Sequence, residues 1–155
     1  MDKKIIIKNL SNCPSLIPLV SKWMWQEWSK QYGRSLKEII YRTEHCLTKK
    51  CPQTLVALRN NQPVGVVSLW NADYPYRQDL SPWLSTLFVV KKYRGLGIGQ
   101  LLQLALLKDA KKSGFKKIYL MTELENYYEK TGWKFQETGP YTGGKTIRLY
   151  QYKLK

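Results

Sequence analysis

Acidic residues are scarce in this chain: Asp plus Glu number 11 against 26 Lys plus Arg, leaving a formal charge of +15. A field of that sign attracts nucleic acid, acidic protein surfaces and phosphate-bearing ligands alike, so charge alone does not choose among them. Histidine is nearly missing, with His45 its one example, and Cys13, Cys46 and Cys51 are odd in number with no Cys-x-x-Cys spacing. That combination argues against a disulfide framework and against a zinc site. His45 and Cys46 are adjacent, but neighbours on a helix point in different directions, which speaks against a Cys/His nucleophile pair. No apolar run approaches the roughly 18 residues of a membrane span. The amino terminus, Met1-Asp2-Lys3-Lys4 before Ile5 to Ile7, has too short an apolar stretch for a signal peptide. A soluble, cytoplasmic protein with reduced thiols is expected.

What is present suffices for one core. The 155 residues are 43% apolar and contain no repeat or low-complexity linker, so residues 1–155 read as a single domain. Ile5 to Ile7 form a short strand. Leu16, Leu19, Val20, Trp23 and Met24 recur at helical spacing, predicting a helix from Ser15 to Tyr32 on which Trp23, Trp25 and Trp28 cannot share one face. Ser35, with Glu38 three residues on, opens a second helix to about Leu47. Thr54 to Arg59 and Pro63 to Trp70 are strands joined by the Asn60-Asn61-Gln62 turn, followed by a loop from Asn71 to Pro82. Trp83 to Val90 is a strand, Gly97 to Ser113 a helix stopped by Gly114, and Lys117 to Thr122 another strand. A short helix from Asn126 to Lys130 closes at Gly132. Strands near Trp133 to Glu137 and from Thr146 to Lys153 flank the Gly139-Pro140 and Gly143-Gly144 turns. The order is mixed α/β with a central β-α-β unit.

The sharpest motif is Arg94-Gly95-Leu96-Gly97-Ile98-Gly99, between a strand and a helix. Alternate glycines let the backbone approach a ligand and turn its amides inward, and the helix start adds free donors and a positive dipole end. An anionic phosphate or pyrophosphate is the natural guest. A dinucleotide-binding fold fits less well. Gln100 stands where its third glycine belongs, Lys91 to Arg94 separate strand from glycines, and only one β-α-β unit is available. A phosphate-binding P-loop is excluded because no Gly-Lys-Ser/Thr follows.

That motif resembles the Arg/Gln-x-x-Gly-x-Gly/Ala signature of the GNAT acetyltransferases. Tyr127-Tyr128-Glu129-Lys130-Thr131-Gly132-Trp133 resembles their later Phe-Tyr-Glu-Lys-x-Gly-Phe segment, in the family's order and at a similar separation. The resemblance spans the whole chain. It implies a mostly antiparallel sheet of six or seven strands with flanking helices, and a β-α-β unit that binds acetyl-CoA, with no metal. The strands Trp83 to Val90 and Lys117 to Thr122 would splay around the pantetheine arm, with Leu87 and Val89 as backbone partners. Arg94, Gly95, Leu96, Gly97, Ile98 and Gly99 would hold the pyrophosphate, and Lys91 or Lys92 would reach the 3′-phosphate. An amide near Leu87 or Phe88 would polarise the thioester carbonyl. Lys91 stands where the family often has proline. The Asn and Ala that often precede the Phe-Tyr segment have no counterpart in Met121 to Glu125.

By the same resemblance Tyr128 is the general acid toward the departing thiolate, with Tyr127 the neighbouring alternative. A phenol near pKa 10 keeps its proton at neutral pH, as that role requires. For the base that frees the attacking amine, Glu123 comes first, then Asp79, Glu27 or water. The expected reaction is direct transfer of an acetyl group to a primary amine in a ternary complex. The net charge favours an acidic or neutral peptide, an amino acid or a small amine over a polycationic aminoglycoside. Two alternatives stand beside it: a basic nucleic-acid-binding module, for which no RNA-binding signature is found, and a non-catalytic acyl-CoA sensor on the same fold. A homodimer is a further expectation, since GNAT proteins often pair.

Overall fold

The computed structural model describes residues 4–155; Met1 to Lys3, on which part of the amino-terminal reading rests, lie outside the described residues. A seven-stranded sheet runs in the order β1-β2-β3-β4-β5-β7-β6. Its strands are β1 (Ile5–Asn9), β2 (Gln53–Arg59), β3 (Gln62–Trp70), β4 (Trp83–Val89), β5 (Lys117–Thr122), β6 (Lys134–Pro140) and β7 (Thr146–Lys153). Every neighbouring pair is antiparallel except β4 and β5. The expected mixed α/β, mostly antiparallel architecture is therefore the one observed.

The helices divide between the two faces. Helix α1 (Ile17–Met24) and helix α2 (Leu36–His45) pack with Val56, Leu58 and Val66, whereas helix α3 (Ile98–Lys112) packs with Leu55, Ala57, Val67 and Leu69. Successive β2 side chains thus point to opposite cores, and for that reason the strand reads as an unbroken apolar run. Helix α3 aligns Ile98, Leu102, Leu106 and Ala110 at a four-residue spacing on its buried side. It comes close because β3 carries Gly65, where a Cβ would stand 3.1 Å from Leu102 Cδ1.

Several elements end where the sequence signals them. Ser35 accepts from the Glu38 amide at 3.2 Å while the Glu38 carboxylate accepts from the Ser35 amide at 2.6 Å, a complete capping box for α2. Asn60 and Asn61 both have positive φ, the pattern of the tight turn that joins β2 to β3.

Three elements differ from expectation, one of them β6, which runs on through Gly139 and Pro140 where a turn was expected. The long first helix changes pitch after Met24, through a wide π-helical turn at Trp25–Ser29 and a 3-10 turn at Lys30–Tyr32, before Gly33 ends it at φ 73°. The altered pitch lets Trp23, Trp25 and Trp28 all reach the α1–α2 core as partly buried side chains, while Trp28 also lines a groove, as expected of at least one of the three. The predicted helix from Asn126 to Lys130 is a 3-10 turn at Glu129–Thr131. Asn126 takes a left-handed φ of 58°, which a helix does not accommodate.

Candidate active site

β4 and β5 meet at a single register pair, Trp83 with Tyr119, supported by the Tyr119 amide on the Pro82 carbonyl at 3.0 Å. Beyond that joint the parallel strands separate into a wedge. Next to it β4 bulges: Thr86 and Leu87 together oppose Val67 of β3, and Thr86 sits at φ 53°. A β-branched residue in that region is strained, and a chain of hydroxyls holds it there. Thr86 Oγ1 donates to Ser68 Oγ at 2.6 Å, and Ser68 Oγ lies 2.9 Å from Thr54 Oγ1. The extra residue releases β4 from strict pairing at the point where the wedge opens.

At the far end of β4 lies the glycine segment. Arg94, Gly95, Leu96 and Gly97 are exposed, while Ile98 is buried and anchors the helix start. Gly95 and Gly97 have φ of 78° and 77°, and a Cβ on either would meet nothing within 4 Å. The glycines therefore serve backbone conformation, with open space left in front of the amides. Leu101 donates to the Gly97 carbonyl at 3.1 Å, so the amides before it in the first turn have no helical acceptor. This stretch fits a diphosphate: exposed, unobstructed and at a positive helix end. Lys91 and Lys92 are exposed beside it. The Arg94 side chain turns back, its Nε donating to the Val89 carbonyl at 2.8 Å and its guanidinium lying 5.6 Å from the Phe88 ring centre. Phe88 points into the α1–α2 core against Trp23.

The wedge opens into a cavity of about 880 Å³ whose wall includes Leu87, Thr86, Tyr128, Glu123 and Glu27. Tyr128 is almost wholly buried, and burial, then neighbouring Tyr127, pushes its phenol above the ordinary tyrosine range. Tyr127 is half exposed and aims elsewhere: its hydroxyl lies 3.7 Å from the Cβ position of Gly99, by the start of α3. Asp79 is not in the cavity wall. Arg77 holds it through Nε at 2.9 Å and a second nitrogen at 2.8 Å, which lowers its pKa, and the same guanidinium pairs with Glu137.

Residues that the sequence reading passed over complete the wall. Asp73, in the loop after β3, and Arg42, on the last turn of α2, both line the cavity. Burial raises the Asp73 pKa against a hydrogen bond from Ser85 and the charge of Arg42. Tyr141, from the β6–β7 connection, is pushed up to about 12 by burial and by a hydrogen bond with Tyr32, with Glu123 and Asp73 nearby. The only early signal for Asp73 was a carboxylate among aromatics in a proline-bearing loop, which does not say where the loop folds. Among the described residues no cluster of side chains suits a metal ion, and no helix is long and apolar enough to cross a membrane.

A family model described as the Acetyltransferase (GNAT) family matches residues 17–133. No curated protein matches the sequence. Among solved structures, an aminoglycoside 6'-acetyltransferase type Ii superposes with a TM-score of 0.76 at 23% identity, over 97% of each chain. An aminoglycoside 6'-N-acetyltransferase complexed with coenzyme A gives 0.76 at 20% identity, again over 97% of each chain. An acetyltransferase from Streptococcus agalactiae gives 0.70 at 23% identity, over 99% of this chain and 100% of that one. At these identities the likeness is one of fold.

Proposed function

The chain belongs to the acetyltransferase (GNAT) family, and from that membership we propose that it transfers an acetyl group from acetyl-CoA to the nitrogen of a primary amine by direct attack in a ternary complex. The observation that carries the reading is the wedge between β4 and β5, with open glycine amides at one end and an acceptor-sized cavity at the other. Acetyl-CoA, when bound, supplies a thioester-activated acyl group.

Each role falls to a part of the chain already described. Amides of Gly95 to Gly99 grip the pyrophosphate, and Lys91 and Lys92 add charge beside it. The freed edges of β4 and β5 pair with the amide-rich arm. The Leu87 amide, next to the Thr86 bulge, polarises the thioester carbonyl. Tyr128 gives a proton to the sulfur that leaves. Glu123 or Asp73, both on the cavity wall, receives the amine proton directly or through water.

The test is release of free thiol from acetyl-CoA in the presence of an amine panel, with product mass confirming N-acetylation. Thiol release that depends on the amine supports the proposal. Acetyl-CoA that raises the melting temperature while no amine yields thiol would instead identify a non-catalytic acyl-CoA binder.

A further inference from the structure

We infer that the acceptor carries a carboxylate as well as its amine and that Arg42 receives that carboxylate; this rests on the acyl-transfer reading above. Arg42 is the one arginine in the cavity wall. Its guanidinium carbon lies 5.0 Å from the centre of the Trp70 ring, which holds the fork in a set plane. Its Nε is buried and has no hydrogen-bond partner among the described residues. The ion pairs found among those residues join Arg77 to Asp79 and Glu137, and Arg148 to Glu125; Asp73 acts on Arg42 through its charge but forms no ion pair with it. Leaving that buried Nε donor without an acceptor is unfavourable, and the planar fork is shaped for two carboxylate oxygens.

The phosphates of CoA are not that acceptor. None of Arg94 to Gly99 lines this cavity, and the glycine segment lies at the other end of β4. A phosphorylated acceptor fits poorly too, because Asp73, Glu27 and Glu123 share the cavity and would repel a dianion. Those same carboxylates suit an ammonium. The wall thus offers the Arg42 guanidinium, with Lys145 as a second cation, for a carboxylate and several carboxylates for an amine. The amine end faces the Thr86–Leu87 bulge and Tyr128, where transfer takes place. An amino-acid-like zwitterion matches both signs; a plain diamine would leave Arg42 without a partner.

The experiment compares common α-amino acids, β-alanine and γ-aminobutyrate with their carboxamides, which keep the amine and lose the negative charge. Wild type should favour the preferred carboxylate over its carboxamide about tenfold or more in kcat/KM. Arg42→Gln should abolish that preference through the acceptor KM, with the acetyl-CoA KM and acetyl-CoA thermal shift unchanged; Arg42→Lys should retain part of it. Equal use of acids and carboxamides by wild type, or equal losses on both in Arg42→Gln, would overturn the inference. If no member is acetylated, calorimetry on the CoA-saturated protein decides. Binding of a carboxylate member that Arg42→Gln loses supports the inference, and no binding overturns it. Absence of any acetyl-CoA stabilisation of the wild type would sink the acyl-transfer reading, and this inference with it.

Discussion

Tyr128 has ring neighbours on three sides, Tyr127, Trp133 and Tyr150, with centroids 4.9, 6.0 and 6.2 Å away. That enclosure keeps water from a phenolate and so holds the proton on the oxygen, the state a general acid needs. Tyr128→Phe should lower kcat roughly 100-fold while the acetyl-CoA thermal shift stays as in wild type. Because the phenol pKa is raised, Tyr128 should impose no descending limb on kcat below about pH 10. A limb there that disappears in Tyr128→Phe would overturn the raised pKa, and a kcat left unchanged by Tyr128→Phe would refute the general-acid role. Asp73 offers the complementary test. Its folded pKa lies above its unfolded one, so protonation is favoured by folding. The associated stability is present below the unfolded value and lost as pH rises through the folded value. Asp73→Asn should therefore melt higher than wild type at pH 7, and the difference should shrink as pH falls toward about 3; a gap of opposite sign would refute it. Tyr128 was legible because it sits in a contiguous motif, whereas Asp73 and Arg42 matter only through neighbours far away in the chain.

Among the elements, the segment from β4 into α3 shows what local chemistry can specify. Gly97 caps α3 at φ 77° with nothing near its Cβ position, so a side chain there would be penalised by conformation alone. Gly97→Ala should cost about 1–2 kcal/mol in denaturant titrations, and the realigned amides should weaken the acetyl-CoA thermal shift. The start of α3 and its glycine stop were readable because caps and left-handed positions depend on adjacent residues. The wide turn after Met24 was not. It forms because Trp23, Trp25 and Trp28 share one core, and because Trp25 Nε1 donates to the Arg34 carbonyl at 2.7 Å across the end of the helix. The Thr86 bulge was also hidden: threonine at positive φ is contrary to its own preference, and hydroxyls from β2 and β3 hold it.

Across the whole molecule, the sheet is two blocks joined edge to edge at one place. β1 to β4 form one antiparallel set and β5 to β7 another, and Trp83 stands at the joint. Its side chain is fully buried, its Nε1 donates to the Leu80 carbonyl at 2.7 Å, and its ring lies 5.8 Å from Tyr119 and 6.4 Å from Tyr74. Trp83→Ala should cost about 3–5 kcal/mol by chemical denaturation. Because the same joint sets the apex of the wedge, acetyl-CoA should also bind more weakly; loss of stability with unchanged affinity would show that the wedge is set elsewhere. Tyr74 ties the loop that carries Asp73 to β6, donating to the Pro140 carbonyl at 2.5 Å, and a Cβ on Gly139 would collide with its hydroxyl.

By itself the sequence determined the succession of the seven strands and three α-helices, the Asn60-Asn61 turn, the α2 cap and the glycine segment. Each of these follows from interactions between residues a few positions apart. Tertiary structure alone decided that β4 and β5 part after one pair, that Thr86 is forced into a bulge, and that Arg42, Asp73 and Tyr141 meet Tyr128 around one cavity. Those features depend on packing α2, the β3–β4 loop and the β6–β7 connection against one another, and no short-range pattern in the chain encodes the distance between them.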